Sequence, residues 1–187
     1  MNVDTKSRMI AMATILFQQK GYKSVGLNEI LKACNVTKGA LYHHFPNGKE
    51  ELLITCLYGL NESITTDIEA IFKRHPATKE AAQSIIDTLI HSFESEGTIT
   101  GYTFSSIVSE MATVSEPIRN ACSALYENIQ QIYYVNLVSE GFSNEAASAA
   151  ALLLTASIEG AMMLCLTQKS SDPLKTIGKL LPNILKV

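Results

Sequence analysis

The chain has 187 residues, enough for one helical unit with a small head on a larger body, and 47% of them are hydrophobic, which excludes a disordered chain. Its net charge of −3 is unpromising for a partner of polyanions until the charge is divided by position. Residues 1–50 carry seven Lys or Arg against three Asp or Glu, a net +4, while the remainder carries eight against fifteen, a net −7. A basic head on an acidic body steers polyanions to the head.

In chain order, Asp4 or Thr5 is placed to cap a first helix whose apolar stripe is Met9, Ile10, Ala13, Leu16 and Phe17, with Gly21 as a left-handed stop. Gly26 is the expected N-cap of a second helix, in which Leu27, Ile30 and Leu31 fall at helical spacing. Cys34-Asn35-Val36 breaks that pattern, and the Thr37 hydroxyl then caps a third, short helix ending near His44. This is a helix-turn-helix pattern.

The third helix is informative for what it leaves outside. If Leu41 and Phe45 face the core, then Lys38, Gly39, Tyr42 and His43 face outward. In a helix-turn-helix the second helix enters the DNA major groove with its N-terminal residues on base edges, and flanking polar groups hold phosphates. Lys38 reaches a guanine edge or a phosphate, Gly39 and Ala40 let the backbone approach, and Tyr42 and His44 donate to phosphate oxygens. Asn28, in the first turn of the second helix, and Lys49 complete the expected contacts, while Lys6 and Arg8 are either backbone contacts or solvated charges. The competing reading is a helical pair buried in an ordinary all-α domain.

Pro46-Asn47-Gly48 is a turn, and Asn47 with Glu50 three positions later resembles a capping box for a long helix running through Leu52, Leu57, Ile64 and Ile71 to about Lys73. His75-Pro76 breaks the chain before a helix from Thr78 to Phe93, and 94–100 reads as a loop. Gly101 opens a shorter helix carrying Tyr102, Phe104, Ile107, Met111 and Val114, and Ser115-Glu116-Pro117 starts another that Gly141 ends. Ser143 caps an Ala-rich helix at 143–168 that contains Glu159 and whose uninterrupted apolar run is shorter than a membrane span, so a nearly all-round buried helix is expected. Pro173 begins a last helix, 173–186. Strand alternation and internal repeats are absent from the sequence.

From Arg8 to Leu53 the sequence resembles the N-terminal domain of the TetR family of bacterial transcriptional repressors. The matching stretches are R-M-I-A-M-A-T-I-L-F-Q-Q-K-G-Y, Glu29-Ile30 and V-T-K-G-A-L-Y-H-H-F-P followed by K-E-E-L-L. V-G-L-N-E-I-L with H-H-F-P-N-G-K-E-E-L is similar to the branch that includes the LmrA and YxaF repressors. The chain departs from the family at Gly26 and Ala40, where Ser or Thr is usual, and at Gly48, an extra residue before Lys49.

The resemblance implies an all-α, TetR-like fold, with a three-helix DNA-binding domain over 1–48 and a helical ligand-binding and dimerisation domain over 49–187. It implies a double-stranded DNA operator as partner and a homodimer through the last two helices. It also implies a small-molecule inducer, which in this branch would be drug-like or flavonoid-like. Phe93, Tyr102, Phe104, Met111, Tyr126, Tyr133 and Met162 suit an adaptable apolar pocket, with Asn61, Glu110, Asn128, Gln131 and Glu159 as orienting polar groups.

Other functions find less support. The four cysteines, Cys34, Cys56, Cys122 and Cys165, have no metal-ligand spacing, and no signal peptide is evident, so a cytoplasmic setting without metal or cofactor is expected. His43, His44, His75 and His91 are scattered and join no nucleophile or phosphate-loop motif, which argues against a helical enzyme. A helical interaction module with a vestigial helix-turn-helix is the other alternative, and the retained Lys38, Tyr42 and Lys49 argue against it.

Overall fold

The computed structural model describes residues 4–97, 102–111 and 113–185. Nine helices and no strand occur among them: α1 (Thr5–Lys20), α2 (Leu27–Cys34), α3 (Lys38–His44), α4 (Lys49–Arg74), α5 (Thr78–Glu96), α6 (Tyr102–Met111), α7 (Glu116–Ser139), α8 (Asn144–Gln168) and α9 (Asp172–Ile184). They form two compact units, the first made of Met1–Glu62 and Thr103–Ser123, the second of Ser63–Tyr102 and Ala124–Val187. The helices expected to read DNA end before residue 49, but by packing the first unit continues into α4 and takes in most of α6 and the start of α7.

In the first unit, Met9, Ala13 and Phe17 from α1, Ile30 and Cys34 from α2, and Leu41 and Phe45 around α3 are all buried. Leu52, Leu53, Cys56 and Leu57 from α4 and Ile107 and Met111 from α6 are buried as well. Each buried Leu, Ile, Met or Phe among them contributes about 1.5–3 kcal/mol by leaving water. Gly21 ends α1 with φ 77° and ψ 160°, so its positive φ is as expected but its ψ is extended rather than left-handed helical. Asp4 takes the N-cap position without a side-chain bond. Asn35 supplies the left-handed residue, at φ 50° and ψ 52°, that turns the chain from α2 towards α3. The cap of α4 differs from expectation: Glu51, not Glu50, accepts the Asn47 N–H at 2.8 Å, because the extra Gly48 shifts the helix start by one residue. Glu50 instead accepts the Ser115 hydroxyl at 2.5 Å.

In the second unit, α9 packs on α5 and α8. Glu94 links α5 to α9 by accepting Ser171 Oγ at 2.6 Å and Lys175 Nζ at 2.8 Å, and these bonds hold its carboxyl below the usual range. Helix α5 runs through Glu94 to Glu96 before Gly97 stops it, so these residues are helical rather than loop. The Glu140 carboxylate, at the end of α7, accepts both the N–H and the hydroxyl of Thr78, at 2.6 and 2.5 Å, and so caps α5 from 62 residues away. Val114 lies beyond α6 and is 69% exposed, not part of that helix's apolar face.

Helix α8 is not buried all round. Ala147, Ala150, Ala151, Leu154, Ile158, Ala161, Met162 and Cys165 form its buried face, while Leu152, Leu153, Met163 and Leu164 are exposed. Two-sided apolarity is why this helix has a mean hydropathy of 1.9 over its most apolar 18 residues, enough by length and composition to cross a membrane. One face is committed to the core of the second unit, leaving the other uncovered within a single chain.

Candidate nucleic-acid interface

The geometry of α3 follows from two local features. Thr37 Oγ1 accepts the Ala40 N–H at 3.2 Å, the side-chain cap read from the sequence, and this fixes where a seven-residue helix begins. Leu41 and Phe45, at 0% and 1% exposure, fix which face turns inward. Their burial leaves Lys38, Gly39, Tyr42 and His43 exposed, and Ala40 and His44 partly so. Tyr42, a large aromatic, is 42% exposed. Lys38 Nζ lies 5.8 Å from its ring centroid, a pairing one helical turn long that holds a cation beside a phenol on the outer face. The His43 and His44 rings meet edge to face, 5.0 Å between centroids. Asn28 is exposed in the first turn of α2. Lys6, at the start of α1, lies 5.8 Å from the Phe45 ring centroid.

Lys49 is placed differently from a free surface cation. Its Nζ donates to the Tyr22 carbonyl at 2.5 Å and sits 3.9 Å from the Tyr22 ring centroid, so it braces the turn between α1 and α2. Burial lowers the Lys49 pKa, opposed by the nearby Glu110 carboxylate. Burial likewise raises that of the Tyr22 hydroxyl, with the Glu50 charge adding to the effect.

Glu110 is a residue whose role the sequence did not reveal. Expected as an orienting group for a ligand, it belongs to the first unit, where Oε2 accepts the Lys23 N–H at 3.0 Å. Gly21 makes room for it: a Cβ there would stand 2.7 Å from Glu110 Oε1. A second bridge, from Ser115 to Glu50, joins the start of α7 to the start of α4, and the same Ser115 oxygen accepts the Ile118 N–H at 3.3 Å. The sequence separations, 87 and 65 residues, are why no local pattern announced either contact.

Of the residues expected to hold a ligand, the second unit brings some together. Tyr126 Oη donates to Glu159 Oε2 at 3.4 Å, and Tyr133, buried, stacks edge-on to Phe72 with centroids 5.9 Å apart. Burial, with the Glu159 carboxylate adding to it, pushes the Tyr133 hydroxyl well above its ordinary pKa. Met162 is buried one turn beyond Glu159 on α8. Phe93 is half-buried on α5, Asn128 is exposed, and Met111 is buried in the first unit. The side chains of Tyr102 and Phe104 lie outside the described residues. Gln131 lines a shallow groove of about 320 Å³ with Glu127, Gln130, Tyr134, Ser148 and Ala151, a polar surface unlike the aromatic pocket expected. All four cysteines are buried thiols, and no cluster able to hold a metal occurs among the described residues.

Comparison with known proteins matches these two regions separately. Residues 9–56 match the model of the bacterial regulatory proteins of the tetR family, and residues 78–180 match that of the LmrA/YxaF-like transcriptional regulator C-terminal domain. The HTH-type transcriptional regulator LmrA of Bacillus subtilis is 34% identical over 98% of this chain and 97% of its own length. The regulator YxaF of the same organism is 33% identical over 98% and 96%. Among solved structures, Escherichia coli NemR in its reduced form superposes with a TM-score of 0.87 at 23% identity, covering 97% of this chain and 96% of that one. A Legionella pneumophila TetR regulator gives 0.82 at 24% over the whole of both chains. These structural likenesses establish the fold, and the family models with the full-length relatives establish the lineage: the chain belongs to the TetR family of transcriptional regulators, in its LmrA/YxaF-like branch.

Proposed function

We propose that the protein is a ligand-responsive repressor, a cytoplasmic homodimer that sets its two α3 helices in successive major grooves of a palindromic operator, roughly 34 Å apart. The observation that carries this reading is the outer face of α3, where Lys38 and Tyr42 are held together opposite the buried Leu41 and Phe45. Lys38 reads a base edge or a phosphate, and Gly39 and Ala40 admit the backbone to the groove wall. Tyr42, His43 and His44 hold phosphates on one side and Asn28 on the other, and Thr37 fixes the start of the helix. Lys49 reaches a phosphate by exchanging the Tyr22 carbonyl for it, a trade of one oxygen partner for a charged one.

The exposed Leu152, Leu153, Met163 and Leu164 on α8, with Leu180 on α9, support a dimer built from these two helices. Covering such a face removes apolar area from water at about 25 cal/mol per Å² before the costs of association. The inducer is an apolar, aromatic small molecule taken up beside Tyr126, Tyr133, Glu159 and Met162, with α4 carrying the response to the head. To clear most operators it favours the non-binding state by about 5 kcal/mol.

The test is an anisotropy titration against DNA tiled across the region upstream of the protein's own gene, at several salt concentrations, with a Tyr42→Ala, Lys49→Ala control. Tight binding to one palindromic tile that weakens steeply with salt and is lost in the control supports the reading. Equal weak binding to every tile contradicts it.

A further inference from the structure

We propose that Gly48 is a positioning residue for DNA binding: by carrying no side chain it fixes where the Tyr42 phenol, and with it the Lys38 ammonium, stands on the outer face of α3. The proposal rests on the reading of α3 as the DNA-reading helix. Phe45, Pro46, Asn47 and Gly48 form a tight turn closed by the Gly48 N–H on the Phe45 carbonyl at 2.8 Å, with Pro at its second and Gly at its fourth position. The turn brings Gly48, at φ 67°, back against the ring of Tyr42. A Cβ on Gly48 would stand 3.2 Å from Tyr42 Cε1, 3.5 Å from its hydroxyl and 3.6 Å from Cζ.

Carbon atoms in comfortable contact are about 3.5–4.0 Å apart, so any side chain at this position pushes the phenol tip away. Tyr42 is 42% exposed, so its ring has open space to move into. The displacement therefore costs little stability and is expressed in where the hydroxyl points. Because Lys38 Nζ is paired with the same ring at 5.8 Å, the cation moves with it.

Gly48 therefore answers two separate demands, a left-handed backbone and an empty contact with Tyr42. Gly48→Asn relaxes the first, since Asn tolerates positive φ, but still crowds the ring, whereas Gly48→Ala violates both. Each variant would be titrated against the operator tile in the wild-type and Tyr42→Ala backgrounds, at a temperature where circular dichroism finds all of them folded. Nuclear Overhauser contacts between the Tyr42 ring and the Gly48 α-protons would be recorded in the free protein.

Both Gly48 variants are expected to weaken binding about tenfold in the wild-type background, the loss of one charge-assisted contact, and less than about twofold once Tyr42 is gone. The free wild-type protein is expected to give the ring contact. Equal losses in both backgrounds would mean backbone distortion alone and would overturn the proposal, as would wild-type affinity in Gly48→Asn or an absent ring contact. A wild-type chain that binds no tile overturns the DNA reading and this role together, whereas a wild-type chain that binds while the double-mutant cycle shows no coupling overturns this role alone.

Discussion

Replacing Glu110 with Ala should loosen the turn between α1 and α2 while leaving α7 intact. The wild-type carboxylate accepts the Lys23 N–H at 3.0 Å, lies against Gly21 and lends charge to Lys49, which itself holds the Tyr22 carbonyl. Hydrogen bonds to charged acceptors contribute about 1.5–3 kcal/mol, but this one is solvated on one side, so its loss should cost about 1 kcal/mol locally. With tenfold in an equilibrium for every 1.4 kcal/mol, the Lys23 amide should exchange with solvent about fivefold faster. Amide hydrogen exchange followed residue by residue provides the measurement, and Glu110→Gln, which keeps an oxygen acceptor but not the charge, should fall between the two. The Ile118 amide, bonded to Ser115 Oγ at 3.3 Å, serves as an internal control because Ser115 meets Glu50 rather than Glu110. Unchanged exchange at Lys23 would refute the assigned contact, and equal acceleration at Lys23 and Ile118 would show that the substitution acts on the whole unit instead.

Three further outcomes are expected. Leu153→Glu with Leu164→Glu, both on the exposed face of α8, should convert a dimer to monomers in sedimentation velocity and abolish tight operator binding with little change in helicity. A double variant that remains dimeric would move the interface elsewhere. Thr37→Ala removes the cap on Ala40 N–H and should cost about 1 kcal/mol in urea unfolding, with a parallel drop in operator affinity, since a seven-residue helix has few other determinants of its start. Burial pushes the Cys56 thiol from 9.0 to about 11. Its proton is thus held more tightly in the folded state, so the stabilisation is complete below pH 9 and declines as pH rises towards 11, by roughly 1.4 kcal/mol per pH unit within that window. Urea midpoints of wild type and Cys56→Ala measured from pH 8 to 11 should converge, and parallel curves would contradict the assignment.

The helix-turn-helix was legible because its determinants are local. Thr37 announces a cap within three residues of its partner, Leu41 and Phe45 define an inner face by spacing alone, and the outward placement of Lys38, Tyr42 and His43 follows from that face. The same holds for the cap at Ser143, the helix start at Pro173 and the all-helical class. What the sequence left open depends on partners far along the chain. Periodicity marks Glu110 and Glu140 only as polar positions on helices. It is tertiary packing that puts one on the Lys23 N–H and the other on Thr78, 87 and 62 residues away.

Helix α8 is the plainest case of that limit. A run of Ala, Leu and Met is apolar on every side, so no moment distinguishes the face that packs within the chain from the face that does not. The fold decides, by burying Leu154, Ile158 and Met162 and leaving Leu152, Leu153 and Leu164 outside. Lys49 marks the other limit, since its charge and place at a helix start point to an anion. Only the folded turn, which brings the Tyr22 carbonyl and ring within its reach, gives that ammonium a first partner inside the protein. Local hydrogen bonds and hydrophobic spacing are written in neighbouring residues, so the sequence alone determined the helical class, the caps at Thr37 and Ser143 and the outward side of α3. Long-range contacts arise only when distant segments meet, so the anchoring of the head by Glu110 and Ser115 and the exposed side of α8 were decided by tertiary structure.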